Sequence, residues 1–178
     1  LKFDEGGGDT VIEKESSHRY LIDGCKSYWK KGVSGTALAF DGYESQIRIP
    51  SSEVPTLDHF TLQAWVSLGA YPYNWAPIIH QSEWRDKGFY LGVDATGRIG
   101  FKLQSGTWKE LTTLYELPLR QWVQVTATYD GKEMKIFVNG KEKGSLEALE
   151  LPEFSTSDLI IGRNSHKFIP FNPVRIYC

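Results

Sequence analysis

QWVQVTATYDGKEMKIFVNGKEKG, residues Gln121 to Gly144, contains two alternating runs that meet at Asp130-Gly131 and a third entered through Asn139-Gly140. Asp-Gly and Asn-Gly supply the positive φ angles that two-residue hairpin turns demand, so the segment predicts a meander of tight hairpins. Trp122, Tyr129 and Phe137 are spaced through it and carry enough apolar area for such a sheet to bury one face. The expectation is an antiparallel sheet inside a β-sandwich.

Outward from that meander the same pattern recurs. Apolar residues alternate in short runs divided by Gly, Pro, Asn and Asp, led by Ala37 to Phe40, Gln46 to Ile49, Phe60 to Leu68, Ile78 to Gln81 and Phe89 to Asp94. Arg98 to Gln104, Thr107 to Leu114, Gly144 to Leu149 and Asp158 to Gly162 continue it, while helical spacing is almost absent. The class is therefore all-β, with about a dozen strands in a sandwich or jelly roll. Two stretches, Glu13 to Gly35 and Ala70 to Lys87, exceed ordinary hairpin connections. The tail after Arg163, with Pro170 and Pro173, reads as an extended excursion before a last apolar run.

Composition narrows the partners. A chain of 178 residues is expected to fold as one domain, burying roughly 70% of its extended-chain surface without staples. With 20 basic and 22 acidic residues and a net charge of −2, no overall field draws in nucleic acid or an anionic membrane, and neither is expected as a partner. No apolar run approaches the roughly 20 residues of a membrane span. LKFDEGGG lacks the basic start and apolar stretch of a signal peptide, so any export signal was removed or lies outside these residues. Cys25 and Cys178 are too few for a zinc cluster or a dense disulfide framework; a bridge between them and two free thiols both stay open.

LKFDEGGG at the start, GTALAFDG at Gly35 to Gly42, FTLQAWV at Phe60 to Val66 and the Gln121 to Gly144 meander stand in this order. Together they resemble a laminin-G-like jelly-roll domain of the concanavalin A-like lectin and glucanase superfamily. The resemblance implies two packed antiparallel sheets, one of them curved, and a carbohydrate-binding or adhesive module attached to a larger secreted protein. Residues 1–178 are accordingly expected to be a single such domain, a fragment of a multidomain protein working outside the cytoplasm, in the periplasm or at the cell surface. Such domains finish with a strand like I-D-E-[VI]-x-I-Y beside the first strand. VRIYC at Val174 to Cys178 lacks the acidic pair, so the closing strand is expected to be missing and to leave an exposed edge. Resembling domains often hold a structural calcium near the first strand, taking six to eight oxygen ligands. Its donors here would be Asp4 or Glu5 of FDEGG and Asp41 of AFDG, fastening the termini.

Catalysis finds little support. Glycosidic hydrolysis usually needs two carboxylates about 5 Å or about 6.5–9.5 Å apart, and the superfamily's glucanases alternate theirs on one strand as E-x-D-x-x-E. No such run occurs. Adjacent Asp4 and Glu5 point to opposite faces of a strand, while Glu83 and Asp86 sit in a loop as solvated charge. IIHQ at Ile78 to Gln81 has the wrong order for the Q-[IV]-H strand of jelly-roll polysaccharide lyases, whose R-[ST]-E-[LV]-R and Y-F-K-x-G runs are absent too. His80 therefore reads as a strand-end histidine with a hydrogen bond. No G-x-S-x-G elbow is present, and Gly6 to Gly8 is a turn without a following helix, so no nucleophile or phosphate cradle is expected.

Sugar binding needs flat aromatic faces together with planar polar groups that hold hydroxyls. The Tyr71 to Lys87 loop, YPYNWAPIIHQSEWRDK, offers Tyr71, Tyr73, Trp75 and Trp84 beside the charged fork of Arg85; the plainer reading packs these rings back onto the sandwich edge. The strand faces offer a second candidate, because Phe60, Leu62, Ala64 and Val66 oppose Gln63 and Trp65, and Val123, Val125 and Ala127 oppose Trp122 and Gln124. Likewise Ile99, Phe101 and Leu103 oppose Arg98, Lys102 and Gln104, and Phe89 and Leu91 oppose Tyr90. If those second faces share the curved sheet, Trp65, Tyr90, Lys102 and Trp122 floor one open groove; otherwise the Glu13 to Gly35 stretch lids Trp65 and Trp122. Arg48, Arg98, Lys102 and Lys135 lean toward an acidic glycan. The function expected is a non-catalytic, lectin-like accessory module of a polysaccharide-degrading enzyme. Its partners would be a polysaccharide or oligosaccharide and the catalytic domain of the same parent. The alternative is a structural or protein-interaction module that packs on a catalytic domain without binding sugar.

Overall fold

The computed structural model describes residues 1–24, 28–42, 44–82, 87–163 and 176–177. Its strands are β1 (Thr10–Ile12), β2 (Arg19–Asp23), β3 (Tyr28–Lys31), β4 (Thr36–Phe40), β5 (Gln46–Ile49), β6 (Phe60–Leu68), β7 (Ala76–Ser82) and β8 (Gly88–Val93). They continue with β9 (Arg98–Ser105), β10 (Thr107–Glu116), β11 (Val123–Tyr129), β12 (Glu133–Val138), β13 (Lys141–Glu147), β14 (Leu159–Ile161) and β15 (Ile176–Tyr177). One sheet of eight strands runs β1-β2-β5-β14-β7-β8-β9-β10, and one of seven runs β13-β12-β11-β6-β15-β4-β3. Every ladder between these strands is antiparallel.

The alternating patterns explain the layering. Val66, Val123, Val125, Ala127 and Ile136 from one sheet meet Phe89, Leu91, Phe101 and Leu103 from the other in a continuous core. Phe60 joins the layers, its ring centroid lying 5.5 Å from Phe89, 6.1 Å from Phe101 and 6.2 Å from Tyr129. A second cluster gathers Val11, Tyr20, Ile22, Leu38, Phe40 and Ile47 where the N-terminal strands close one end.

The meander forms with one adjustment. Asn139 and Gly140 take φ 49° and 74° between the paired residues Val138 and Lys141, the two-residue turn that the dipeptide favours. At Asp130-Gly131 only Gly131 has positive φ, and pairing resumes at Tyr129 with Met134. The longer loop arises because Asp130 Oδ1 accepts the amides of Lys132 (3.0 Å) and Glu133 (2.8 Å), an Asx-type turn in place of a I′ turn.

The closing position is filled, which corrects the expectation of a missing last strand. Ile176–Tyr177 pairs with Phe40 and Ala39 on one side and with Leu68 and Ser67 on the other. Backbone pairing does not require the acidic pair, so two residues suffice to bridge β4 and β6. The Glu13 to Gly35 stretch is likewise not a lid: it contributes β2 to the eight-stranded sheet and β3 to an edge of the seven-stranded one. Cys25 and Cys178 lie outside the described residues.

The turn between β1 and β2 is held by carboxylates. Glu13 Oε2 accepts the amide of Ser16 at 2.6 Å and its hydroxyl at 2.7 Å, and these bonds bring the Glu13 pKa down to about 2. Glu53 Oε2 accepts the Tyr20 hydroxyl at 2.6 Å and lies 2.7 Å from His18 Nδ1. The Tyr20 bond, more than the His18 contact, lowers the Glu53 pKa, while burial and then Glu53 push the Tyr20 phenol up to about 12. A raised phenol pKa means that this contact's contribution is complete below pH 10.0, the ordinary value, and is lost as pH rises through about 12. The phenolate absorbance step that disappears in Tyr20→Phe is therefore expected near pH 12. A step at the ordinary phenol value would contradict the contact. The two lowered carboxyls work the other way: their contribution is present above about 4.5 and lost as pH falls, for Glu13 toward about 2.

Candidate functional site

The two aromatic faces do not share one groove. Because both sets of strands turn their apolar sides to the same core, their second sides point away from each other. Trp65 belongs to the outer face of the seven-stranded sheet and Trp122 directly precedes β11 of that sheet, whereas Tyr90 and Lys102 belong to the outer face of the eight-stranded sheet. Trp65, paired with Gln124, is 41% exposed, so no lid covers it among the described residues.

On the eight-stranded sheet, antiparallel register sets His80, Tyr90, Lys102 and Glu110 side by side across β7, β8, β9 and β10. The His80 and Tyr90 rings stack with centroids 5.0 Å apart and planes at 9°. The Arg163 carbonyl lies 3.1 Å from His80 Nε2 and His80 is buried, in keeping with a hydrogen-bonded structural histidine. Trp108, opposite Gln104, stands 6.0 Å from the Tyr90 ring. Lys102 Nζ makes an ion pair with Glu110 Oε2 at 3.0 Å and lies 4.3 Å from the centroid of the Trp75 ring.

Trp75 reaches this face from its loop because β9 carries a glycine there. A Cβ on Gly100 would fall 2.8 Å and 2.9 Å from Trp75 Cζ2 and Cζ3, so only glycine leaves room for the indole against the backbone. Its neighbours in the loop diverge. The Tyr71 hydroxyl donates to the Leu117 carbonyl at 2.9 Å, while Tyr73 stays 73% exposed. Packing back thus holds for Tyr71 and Trp75 and fails for Tyr73. Trp84 and Arg85, with Glu83 and Asp86, lie outside the described residues.

Of the residues singled out from sequence, the fold therefore brings Trp75, Tyr90 and Lys102 together and leaves Trp65 and Trp122 on the far side. Trp108 completes the face beside Gln104 and was missed. The signal for Trp108 was the Ser105-Gly106 turn, which folds β10 back so that Trp108 falls beside Gln104. Asn74 Oδ1, Gln104 Oε1 and Arg98 Nε are buried without a protein hydrogen-bond partner.

The calcium donors do not converge. Asp4 Oδ1 lies against Gly35, which precedes β4, whereas Asp41 follows β4, about 20 Å further along the strand. Asp41 Oδ1 accepts the amides of Glu44 and Ser45, both at 3.0 Å, and the Ser45 hydroxyl at 2.6 Å, which ties it into its own turn. Asp4 pairs with Lys14 at 3.5 Å, and Glu5 Oε1 accepts the Ile12 amide at 2.9 Å. Among the described residues no three carboxylate, His or Cys groups are placed to hold a metal ion. Asp4, Glu5 and Asp41 do not fit a calcium site.

Comparison with known proteins agrees with this architecture. Mouse pappalysin-1 is 31% identical over 122 residues, covering 60% of this chain and 8% of that protein; human pappalysin-1 matches at 31% over the same length. The chain thus spans only a small part of the curated relatives it matches. The binding domain of Paraclostridial Mosquitocidal Protein 1 superposes with a TM-score of 0.72 at 13% identity, covering 92% of this chain and 44% of that one. Domain 4 of AbnA, a GH43 extracellular arabinanase from Geobacillus stearothermophilus, solved in complex with arabinotriose, gives 0.62 at 21% identity, covering 86% and 76%. Similarity at these identities concerns the fold. The family model for the concanavalin A-like lectin/glucanases superfamily matches residues 41–173, and with the two-sheet architecture above it establishes that the chain belongs to that superfamily.

Proposed function

We propose that this chain is a non-catalytic glycan-binding module that holds saccharide on the outer face of its eight-stranded sheet. The observation that carries the reading is the convergence of Trp75, Tyr90 and Trp108 from a loop and two strands around Lys102 and Gln104. Rings give the C–H faces of a pyranose something to lie on, and the amide and ammonium groups between them orient hydroxyls. Glu110 and Glu116 of β10 are each ion-paired, to Lys102 and Arg98. Such pairing favours holding over cutting, because a general acid must stay protonated near neutrality. The arabinotriose complex of the AbnA domain supports sugar as the ligand class, and its extracellular parent supports a setting outside the cytoplasm. In this reading the chain is an accessory domain of an extracytoplasmic polysaccharide-degrading enzyme. A shallow, wet site gives about micromolar to millimolar affinity, made useful by linkage to a catalytic domain.

Calorimetric titration against a polysaccharide panel tests the reading. The wild-type chain is expected to bind at least one glycan, Tyr90→Ala to weaken that binding about tenfold or more, and Trp65→Ala to leave it intact. Loss through Trp65 with Tyr90 dispensable would move the site to the other sheet. A wholly silent panel at millimolar ligand would refute it.

A second reading has its own observation. Gln63, Trp65, Gln124 and Thr126 make an uncharged strip across β6 and β11, with Thr126 Oγ1 bonded to Gln63 Oε1 at 3.4 Å and Trp65 well exposed. That strip suits packing against a neighbouring domain of the same parent, and it can coexist with a sugar site on the opposite face.

A further inference from the structure

The basic residues that would attract an acidic glycan are all occupied. On the eight-stranded sheet Arg48 pairs with Asp158 at 3.2 Å, Arg98 with Glu116 at 3.6 Å and Lys102 with Glu110 at 3.0 Å. Lys135, on the other sheet, pairs with Glu133 at 2.9 Å. The Lys102 ammonium also lies over the Trp75 ring, so its charge is shared between a carboxylate and an aromatic face. A uronate or sulfate reaching Lys102 would bring its charge beside the half-exposed Glu110 carboxylate, and that like-charge contact cancels the attraction.

Arg98, Gly100, Lys102 and Gln104 succeed one another on one side of β9, a length of about 20 Å, so the groups are strung out along the strand.

We infer that the ligand of this face is an uncharged glycan chain running along β9, and that Glu110 acts as the selectivity element by neutralising Lys102. The inference rests on the glycan-binding reading above and names its ligand class.

The test titrates the wild-type chain and Glu110→Gln with neutral polysaccharides (a β-glucan, a xylan and an arabinan) and with polygalacturonate, each at low and at raised salt. Wild type is expected to bind a neutral polymer at least about tenfold more tightly than polygalacturonate, with little salt dependence. Glu110→Gln is expected to gain polygalacturonate binding that falls as salt rises, because the freed ammonium is then screened. Salt-sensitive preference of the wild type for polygalacturonate would overturn the inference while leaving glycan binding in place. No gain of uronate binding by Glu110→Gln would remove Glu110 from the selectivity role. Failure to bind any polymer would bring down the glycan reading and this inference with it.

Discussion

Gly88→Ala is expected to destabilise the protein by more than about 3 kcal/mol, lowering Tm by about 6–12 °C. Gly88 opens β8 at φ 107°, a backbone angle that side chains rarely adopt. A Cβ there would overlap the Gln81 carbonyl, 2.8 Å from its carbon, and would lie 3.3 Å from Ser82 Cα. Those atoms are backbone of β7, paired with β8 through Gln81–Phe89 and Ser82–Gly88, so relief requires opening the ladder that carries His80 and Tyr90. The Gly88 amide also donates to the Glu153 carbonyl at 2.6 Å, a bond that any shift breaks. Gly140→Ala separates the two causes. Gly140 has φ 74° but nothing within 4 Å of its would-be Cβ, so its cost is the conformational strain alone, about 1–2 kcal/mol. Equal losses in the two variants by urea denaturation would contradict the clash.

The largest effect on binding is expected from Gly100→Ala. No left-handed angle is demanded at Gly100, so the sheet itself accepts alanine, and the atoms in the way belong to the Trp75 indole. The ring must leave the face, taking with it the surface over which Lys102 Nζ sits at 4.3 Å. Stability should fall by only about 1 kcal/mol, because displacing one half-buried ring opens no core cavity. Affinity for the glycan that the wild type binds should fall about tenfold or more. Retained affinity with a displaced indole, seen as a red shift of tryptophan fluorescence, would exclude Trp75 from the site.

Strand positions were legible wherever β-branched and aromatic residues alternate over a long run. Gln46–Ile49 and Phe60–Leu68 carry the bounds expected of them, because each places a continuous apolar side on the core. The N-terminal strands were hidden for a physical reason. In β2, Tyr20 and Ile22 are buried while Leu21 is 63% exposed, so polarity fails to alternate although the backbone does. β15 is only two residues long, and its partners, Ala39, Phe40, Ser67 and Leu68, are remote in sequence.

The site was half legible. Alternation within a strand shows which residues share one of its sides, and Tyr90 and Lys102 were found that way. It cannot show which sheet the strand joins, and this is why Trp65 and Trp122 were grouped with residues on the opposite face. The charges were misleading for a similar reason: Lys102 reads as a free cation until the β9–β10 hairpin lays Glu110 beside it. Asp41 resembled a metal donor until its carboxylate closed a turn on Ser45.

The central claim is that sugar lies on the β8–β9–β10 face, and backbone amide shifts recorded during titration with a bound oligosaccharide test it most directly. The account predicts shifts concentrated at Tyr90, Lys102, Gln104 and Trp108 and at the Trp75 indole, with Gln63, Trp65 and Gln124 unmoved. Shifts confined to Trp65, Trp122 and their strand neighbours would contradict it.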